Sequence, residues 1–192
     1  MTPAQLQTLK TNINANTATI QLGPNTVQIK DSPNNGDANN EVAAWYNLLA
    51  AGPYWVWATA VSRVQLYITT SDLLSTWNWT TYKNQGVAEQ NAWVQMFMGD
   101  ATNFGQLNVR VGIGQIFTGS AQATAQRDHC LAVGRRASRN VEKLFGIAVT
   151  SPPPNSGNTG IAVQRGQVVN PDVLGFEGTI TGQDVTDARN LP

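Results

Sequence analysis

The sequence predicts a mainly α-helical protein: a bundle of about five helices followed by a C-terminal extended or β-hairpin arm. Three observations predict it. Apolar residues recur at i, i+3, i+4 spacing in successive windows over residues 1–148. Clusters of Gly, Pro and Asn separate those windows. After Gly146 the composition turns to Pro, Gly, Ser and Val, which suits a linker and short strands. The expected organisation is a helical body over 1–148, with an irregular or hairpin excursion at 11–40, and a Pro/Gly-rich linker with an extended arm over 149–192.

The first helix opens at Thr2-Pro3-Ala4-Gln5. Thr2 is an N-cap residue, Pro3 suits the first helical position, and Gln5 completes a capping motif; Leu6, Leu9 and Ile13 form its apolar stripe. Weak alternation over 19–29 around Gly23-Pro24-Asn25 predicts a small hairpin or an extended arm. The stretch 31–40 (DSPNNGDANN) is a loop by composition. Asp37 or Asn39 then caps a helix over 40–51 that buries Val42, Trp45, Tyr46 and Leu49. Gly52-Pro53 stops it. A second helix is expected from Pro53, carrying Trp57, Ala60, Val61, Val64, Tyr67 and Ile68, followed by a turn at Ser71-Asp72-Leu73-Leu74. Trp77 and Trp79 flank Asn78 in an irregular connection. The window 86–98 reads as a helix with Val87, Gln90, Trp93, Val94 and Phe97 at helical spacing and Met96 and Met98 beside them, and 99–107 as a loop.

The stretch 108–145 carries the strongest pattern. A short helix around Val109, Ile113, Ile116 and Phe117 ends at Thr118-Gly119-Ser120. A long helix is then expected over 121–145, with Leu131, Gly134, Ala137, Val141, Leu144 and Phe145 on one face and Gly146 as its C-terminal cap. Arg135, Arg136, Arg139 and Lys143 fall on the opposite face. With Arg127 they are five of the chain's 12 basic residues. Like charges at i, i+4 cost a few tenths of a kcal/mol each, so such a face is either simply solvated or aimed at an acidic partner or DNA. Beyond 150, the linker SPPPNSG (151–157), a hairpin of 161–163 with 167–169, a strand over 176–180 and a final helical turn capped by Thr181 are expected.

Composition narrows the function. Net charge is +0 and charged residues are 12% of the chain, about half the usual share, with Asn, Gln and Thr in the polar positions. A neutral, amide-rich surface favours a subunit covered by other proteins over a free monomer, and it disfavours avid DNA binding from free solution. One cysteine, Cys130, excludes an internal disulfide framework, and one histidine, His129, with that single cysteine leaves no zinc ligand set. Adjacent residues on a helix point about 100° apart, so His129-Cys130 is no catalytic pair. Gly112-Ile113-Gly114 lacks the strand and third glycine of a dinucleotide fingerprint, and there is no phosphate-binding loop. No catalytic residue, cofactor or metal is expected. The opening MTPAQLQTLK has no apolar segment of a secretory signal, so Asn78-Trp79-Thr80 is expected to be a chance sequon. No apolar run reaches the length of a membrane span. Of the six tryptophans, Trp45, Trp57 and Trp93 fit a core. Trp77 and Trp79, with Phe176, are candidate interface aromatics.

Several blocks together resemble a family of tailed-bacteriophage virion proteins. They are the opening MTPAQL, Asn108-Val109-Arg110 with Gly112-Ile113, and Arg135-Arg136-Ala137-Ser138-Arg139 leading into Val141-Glu142-Lys143-Leu144-Phe145. The last is Phe176-Glu177-Gly178 followed by Asp184-Val185 and Ala188-Arg189-Asn190-Leu191. The blocks run from end to end, and each alone is weak. The family is associated with the head–tail connector. The resemblance therefore implies a structural adaptor in the virion neck, assembled in the bacterial cytoplasm. Its partners would be the portal protein, tail or stopper proteins, further copies in a ring, commonly a dodecamer, and packaged DNA. The chain departs from the pattern at 152–172, where a Pro-rich piece replaces a short Gly/Ser/Thr segment, and over 11–30. A Trp-rich module binding DNA or glycans is the alternative from another class, and an enzyme with a composite site at a subunit interface is a third.

Overall fold

The computed structural model describes residues 1–51, 54–67, 76–146 and 176–192, and the backbone of 167–168. The chain is mainly helical and divides into two compact units. Unit 1 comprises Met1–Ala51, Ser138–Gly146 and Leu174–Pro192; unit 2 comprises Gly52–Ala137 and Ile147–Val173.

In unit 1, α1 (Pro3–Ala15) begins as its sequence dictates. Gln5 N–H donates to Thr2 Oγ1 (3.3 Å) and Thr2 N–H donates to Gln5 Oε1 (2.7 Å), so two donors at the helix start are satisfied reciprocally. Strands β1 (Thr19–Leu22) and β2 (Asn25–Gln28) pair antiparallel, Thr19 opposite Gln28. Gly23 takes φ +60° at the first position of the two-residue loop, a conformation open to glycine at little cost. Helix α2 spans Gly36–Asn47, not 40–51. Its cap is Asn35, whose Oδ1 accepts from Ala38 N–H at 3.0 Å, and it ends before Leu49, which is 66% exposed and forms a β-bridge with Arg139. The expected buried Leu49 is thus corrected, while Val42 and Tyr46 are core.

Of the arm expected over 149–192, the described C-terminal part, 176–192, is a loop and a helix. Residues 176–180 form no strand; Gly178 has φ +112°, outside strand geometry. Ile180 is instead clamped by Asn47, which donates to its carbonyl (2.8 Å) and accepts from its N–H (2.9 Å). Thr181 and Asp184 then form a capping box for a nine-residue helix, Gly182–Asn190, which we label α9. Burial opposes ionisation of Asp184. Hydrogen bonds from the Thr181 N–H and hydroxyl and the Met1 ammonium 3.6 Å away outweigh it, holding the carboxyl below its usual range. Val185 and Ala188 of α9 join Leu9, Ile13, Ile29, Val42, Tyr46 and Val141 in the core of unit 1. The expected linker at 151–157 and the strand at 161–163 lie outside the described residues.

In unit 2 the helix expected from Pro53 is corrected to strand β3, Tyr54–Trp57. Tyr-Trp-Val-Trp is rich in aromatic and β-branched residues, which fit a pleated, half-buried surface. A five-residue helix, α3, follows at Arg63–Tyr67; Ile68 and the turn expected at 71–74 are outside the described residues. Asn78 is no irregular connector: its side chain accepts from Thr81 N–H and caps α4, Trp79–Lys83. Helices α5 (Val87–Met96), α6 (Leu107–Ile116) and α7 (Ala121–Val133) complete the helical part. Around them pack Trp57, Leu66, Trp77, Trp93, Phe97, Phe104, Ile113, Phe117 and Leu131.

The single long helix expected over 121–145 is broken. It ends at Val133, continues as strand β4 (Arg135–Ala137), and resumes as α8 (Asn140–Phe145) in unit 1. Strand β4 pairs antiparallel with β3, Trp57 opposite Arg135, and β5 (Gln167–Val168) pairs parallel on the other side of β3. At the break the backbone is held by close packing and by a hydrogen bond. A Cβ at Gly134 would overlap the ring of the fully buried Phe104, and Gly134 O accepts from Ala58 N–H at 2.8 Å. Gly134→Ala should therefore destabilise unit 2 by about 1–3 kcal/mol through overpacking. Denaturant unfolding measures this; a variant as stable as the parent would contradict the close packing of Phe104 on Gly134.

Candidate functional site

The structure does not assemble the four basic residues as one helical face. Arg135 lies on β4 and is buried, its guanidinium carbon 4.7 Å from the centre of the Trp57 indole. Arg110, also buried, approaches the same ring at 4.8 Å and donates from Nη1 to the carbonyls of Phe104 (2.7 Å) and Gly105 (2.8 Å). Two guanidiniums on one indole make Arg135 part of a cation–π cluster in the core. Arg136 is half-buried on the same strand. Arg139 belongs to unit 1, where it precedes α8 and pairs with the buried Glu142 carboxylate at 3.8 Å; Lys143 lies exposed in the last turn of α8. The i, i+4 spacing that linked them requires a continuous helix, which Gly134 prevents.

The candidate aromatics separate as well. Trp77 is 8% exposed and packs against Trp93 (5.2 Å between ring centres), Tyr67 (4.8 Å) and Phe117 (6.0 Å), so it is core. Trp79 is 58% exposed and leans on Tyr67 at 4.8 Å. Phe176 is half-buried in unit 1, 5.8 Å from Phe145. Two residues of separation between Trp77 and Trp79 cross the cap of α4, so one faces inward and the other outward.

The remaining polar candidates are structural. His129 Nε2 donates to the Leu66 carbonyl at 2.7 Å, and Cys130 accepts from Gln126 Nε2 at 3.7 Å, so the two neighbours turn to different partners. Burial pushes the Cys130 thiol up to about 12. Gly112 and Gly114 sit within α6, where Gly112 packs on Met96 of α5. Among the described residues no three of His, Cys, Asp and Glu come together as a metal site. No described helix is long and apolar enough to cross a membrane.

Two surface features emerge that the sequence did not single out. Helix α5 buries Trp93 inward, yet Val87 (75% exposed) and Val94 (42%) line its outer side, and Met98 (77%) continues the stripe just past its end. The spacing of seven residues puts Val87 and Val94 on one line along the helix, and Met98 stands beyond its end. The signal was present in the sequence as apolar residues on more than one side of 87–98, interrupted by Gln90, Asn91 and Gln95, with Glu89 as the one charge. In unit 1 a cleft of about 660 Å³ opens between the hairpin and the start of α2, lined by Asp37 and Glu41 among neutral amides.

Trp77→Ala should lower stability by about 3–5 kcal/mol, whereas Trp79→Ala should lower it by about 1 kcal/mol or less. Denaturant unfolding of the two variants measures the contrast, and equal losses would contradict the in/out assignment. A thiol reagent at pH 8 should leave Cys130 unlabelled in the native chain and label it fully once denaturant unfolds it; rapid native labelling would contradict the buried, protonated thiol. No family model, curated protein or solved structure matches the chain.

Proposed function

We propose that the chain is a structural subunit of a tailed-phage virion, acting as a head–tail connector that joins portal to tail. The observation that carries an assembly role is the outer face of α5. Helix α5 buries Trp93 on one side and exposes Val87 and Val94 on another, with Met98 exposed just past its end, and these apolar side chains gain by contact with another protein. Burying each such side chain removes it from water at a gain of roughly 1.5–3 kcal/mol, part of which the entropy of association consumes. The specific identity rests on the sequence resemblance set out above. In that setting the α5 face meets the portal or a tail or stopper protein, and copies of the chain form a ring in the virion neck. The cationic helix face no longer contributes, because Gly134 divides it. A stacking platform for DNA or glycans loses Trp77 to the core, which leaves Trp79 as the one exposed indole of the pair.

The test is incorporation into particles. The parent chain should be found in purified virions by mass spectrometry, at a fixed ratio to the portal. Val87→Lys with Met98→Lys should keep the melting temperature within about 3 °C, because both residues are exposed, while lowering incorporation at least about tenfold. Absence of the parent chain from particles would sink the proposal, and undiminished incorporation of the double variant would remove the α5 face from it.

A further inference from the structure

The chain's zero net charge is unevenly divided. Unit 1 holds five basic against seven acidic residues, a formal −2, and unit 2 holds seven against five, a formal +2. Each unit also carries two charges of its own sign on one exposed feature.

In unit 1 this feature is the cleft of about 660 Å³, a size that accepts a bulky side chain and its neighbours. Asp37 and Glu41, one turn apart on α2, are both exposed and line it. Asn25, Asn35 and Asn40 add amide groups, and no basic residue is among its walls. In unit 2 the feature is the patch around Trp79. Trp79 and Lys83 are i, i+4 on α4 and share a face. The Tyr82 ring lies 6.3 Å from Trp79, and Tyr67, whose ring lies 4.8 Å from Trp79, is i, i+4 from Arg63 on α3, so Arg63 borders the same patch. Arg63 and Lys83 are exposed, and neither they nor Asp37 and Glu41 have an ion-pair partner among the described residues.

We propose that Trp79, Arg63 and Lys83 of one copy seat in the Asp37–Glu41 cleft of a second copy. Trp and Arg are the residue types that dominate binding energy at protein interfaces, and the opposed charges steer the docking and fix its register. The carboxylates accept from the guanidinium and ammonium, and the cleft amides take the remaining donors. Each copy offers one patch and one cleft, so two copies can close reciprocally, each patch in the other's cleft, or join head to tail, which leaves a patch and a cleft free and by repetition builds a ring or a filament. The inference rests on the assembly-subunit role and names the partner of this surface as the chain itself.

A charge-swap series on the full chain tests it. The cleft variant carries Asp37→Lys and Glu41→Lys; the patch variant carries Arg63→Glu and Lys83→Glu. All four positions are exposed, and circular dichroism confirms that each variant keeps its fold. Sedimentation velocity at low salt should find the parent self-associating and each variant weakened about a hundredfold, since like charges then face each other. An equimolar mixture of the two variants should recover association to within about threefold of the parent, because each reversed cleft meets a reversed patch. A parent that stays monomeric, a variant that associates like the parent, or a mixture without recovery would each overturn the contact. Those results leave particle incorporation through α5 untouched. Absence from particles with intact charge-swap recovery would instead sink the virion role alone.

Discussion

The placement of Phe104 against Gly134 is the constraint on which the second unit depends. Phe104 is fully buried, and its N–H donates to the Ala58 carbonyl at 3.0 Å, while Ala58 N–H donates to the Gly134 carbonyl at 2.8 Å. Arg110 holds the Phe104 carbonyl from a third element. One point therefore ties the loop before α6, the end of β3 and the end of α7. Any side chain at 134 would displace the ring and loosen all three. Because α7 must stop there, the next residues are free to pair with β3, which sets Arg135 opposite Trp57 and draws a cation into the core. Burying a guanidinium is costly unless its donors and its charge are met. Arg110 shows how this is done, with two carbonyls on Nη1 and an aromatic ring within 5 Å.

Unit 1 is held together differently. Its polar interior is built largely from amides. Asn47 pairs with both backbone groups of Ile180, Asn39 reaches Asn34 and Thr186, and Tyr46 donates to Asn12 while accepting from Asn16. Burial pushes the Tyr46 phenol up to about 12, so it stays a neutral hydrogen-bonding group. Amides join segments distant in sequence without the desolvation cost of ions. This changes what the low charge content means. Some of the Asn and Gln that looked like an uncharged surface are internal fasteners, so composition alone is weaker support for a covered surface than the exposed stripe on α5.

What could be read from the sequence was local. The capping box at Thr2 and Gln5, the Gly23-Pro24 loop, helix α6 and the Thr181 cap depend on residues within a few positions of each other, and each is found where expected. What was missed depended on distant partners. Strands β3 and β4 are four and three residues long and exist because they pair across about 80 residues of chain. The apolar stripe from Leu131 to Phe145 continues unbroken through Gly134, so only the ring of Phe104 reveals that the helix stops. Helix α9 looked like a single turn because Val185 and Ala188 are its only core residues; its companions on α1 and α2 supply the rest of the core. In the candidate site, Trp77 and Trp79 were indistinguishable by pattern, since the cap at Asn78 decides which indole turns inward.

Both proposed surfaces share a property that chain-wide averages conceal. A net charge of zero describes neither unit, because opposite excesses cancel in the sum. A mean hydropathy of −0.24 likewise describes neither side of α5. Interfaces are set by which atoms share a patch, and a patch spans about ten residues drawn from several elements. A neutral chain with segregated charge repels its copies less than a charged one, yet it can still orient them, because the local field of two opposed carboxylates and two cations acts within a Debye length. That combination suits a subunit that must pack closely in many copies and still meet its neighbour in one register. Uniform neutrality would give close packing without register, and uniform charge of one sign would give solubility without close packing.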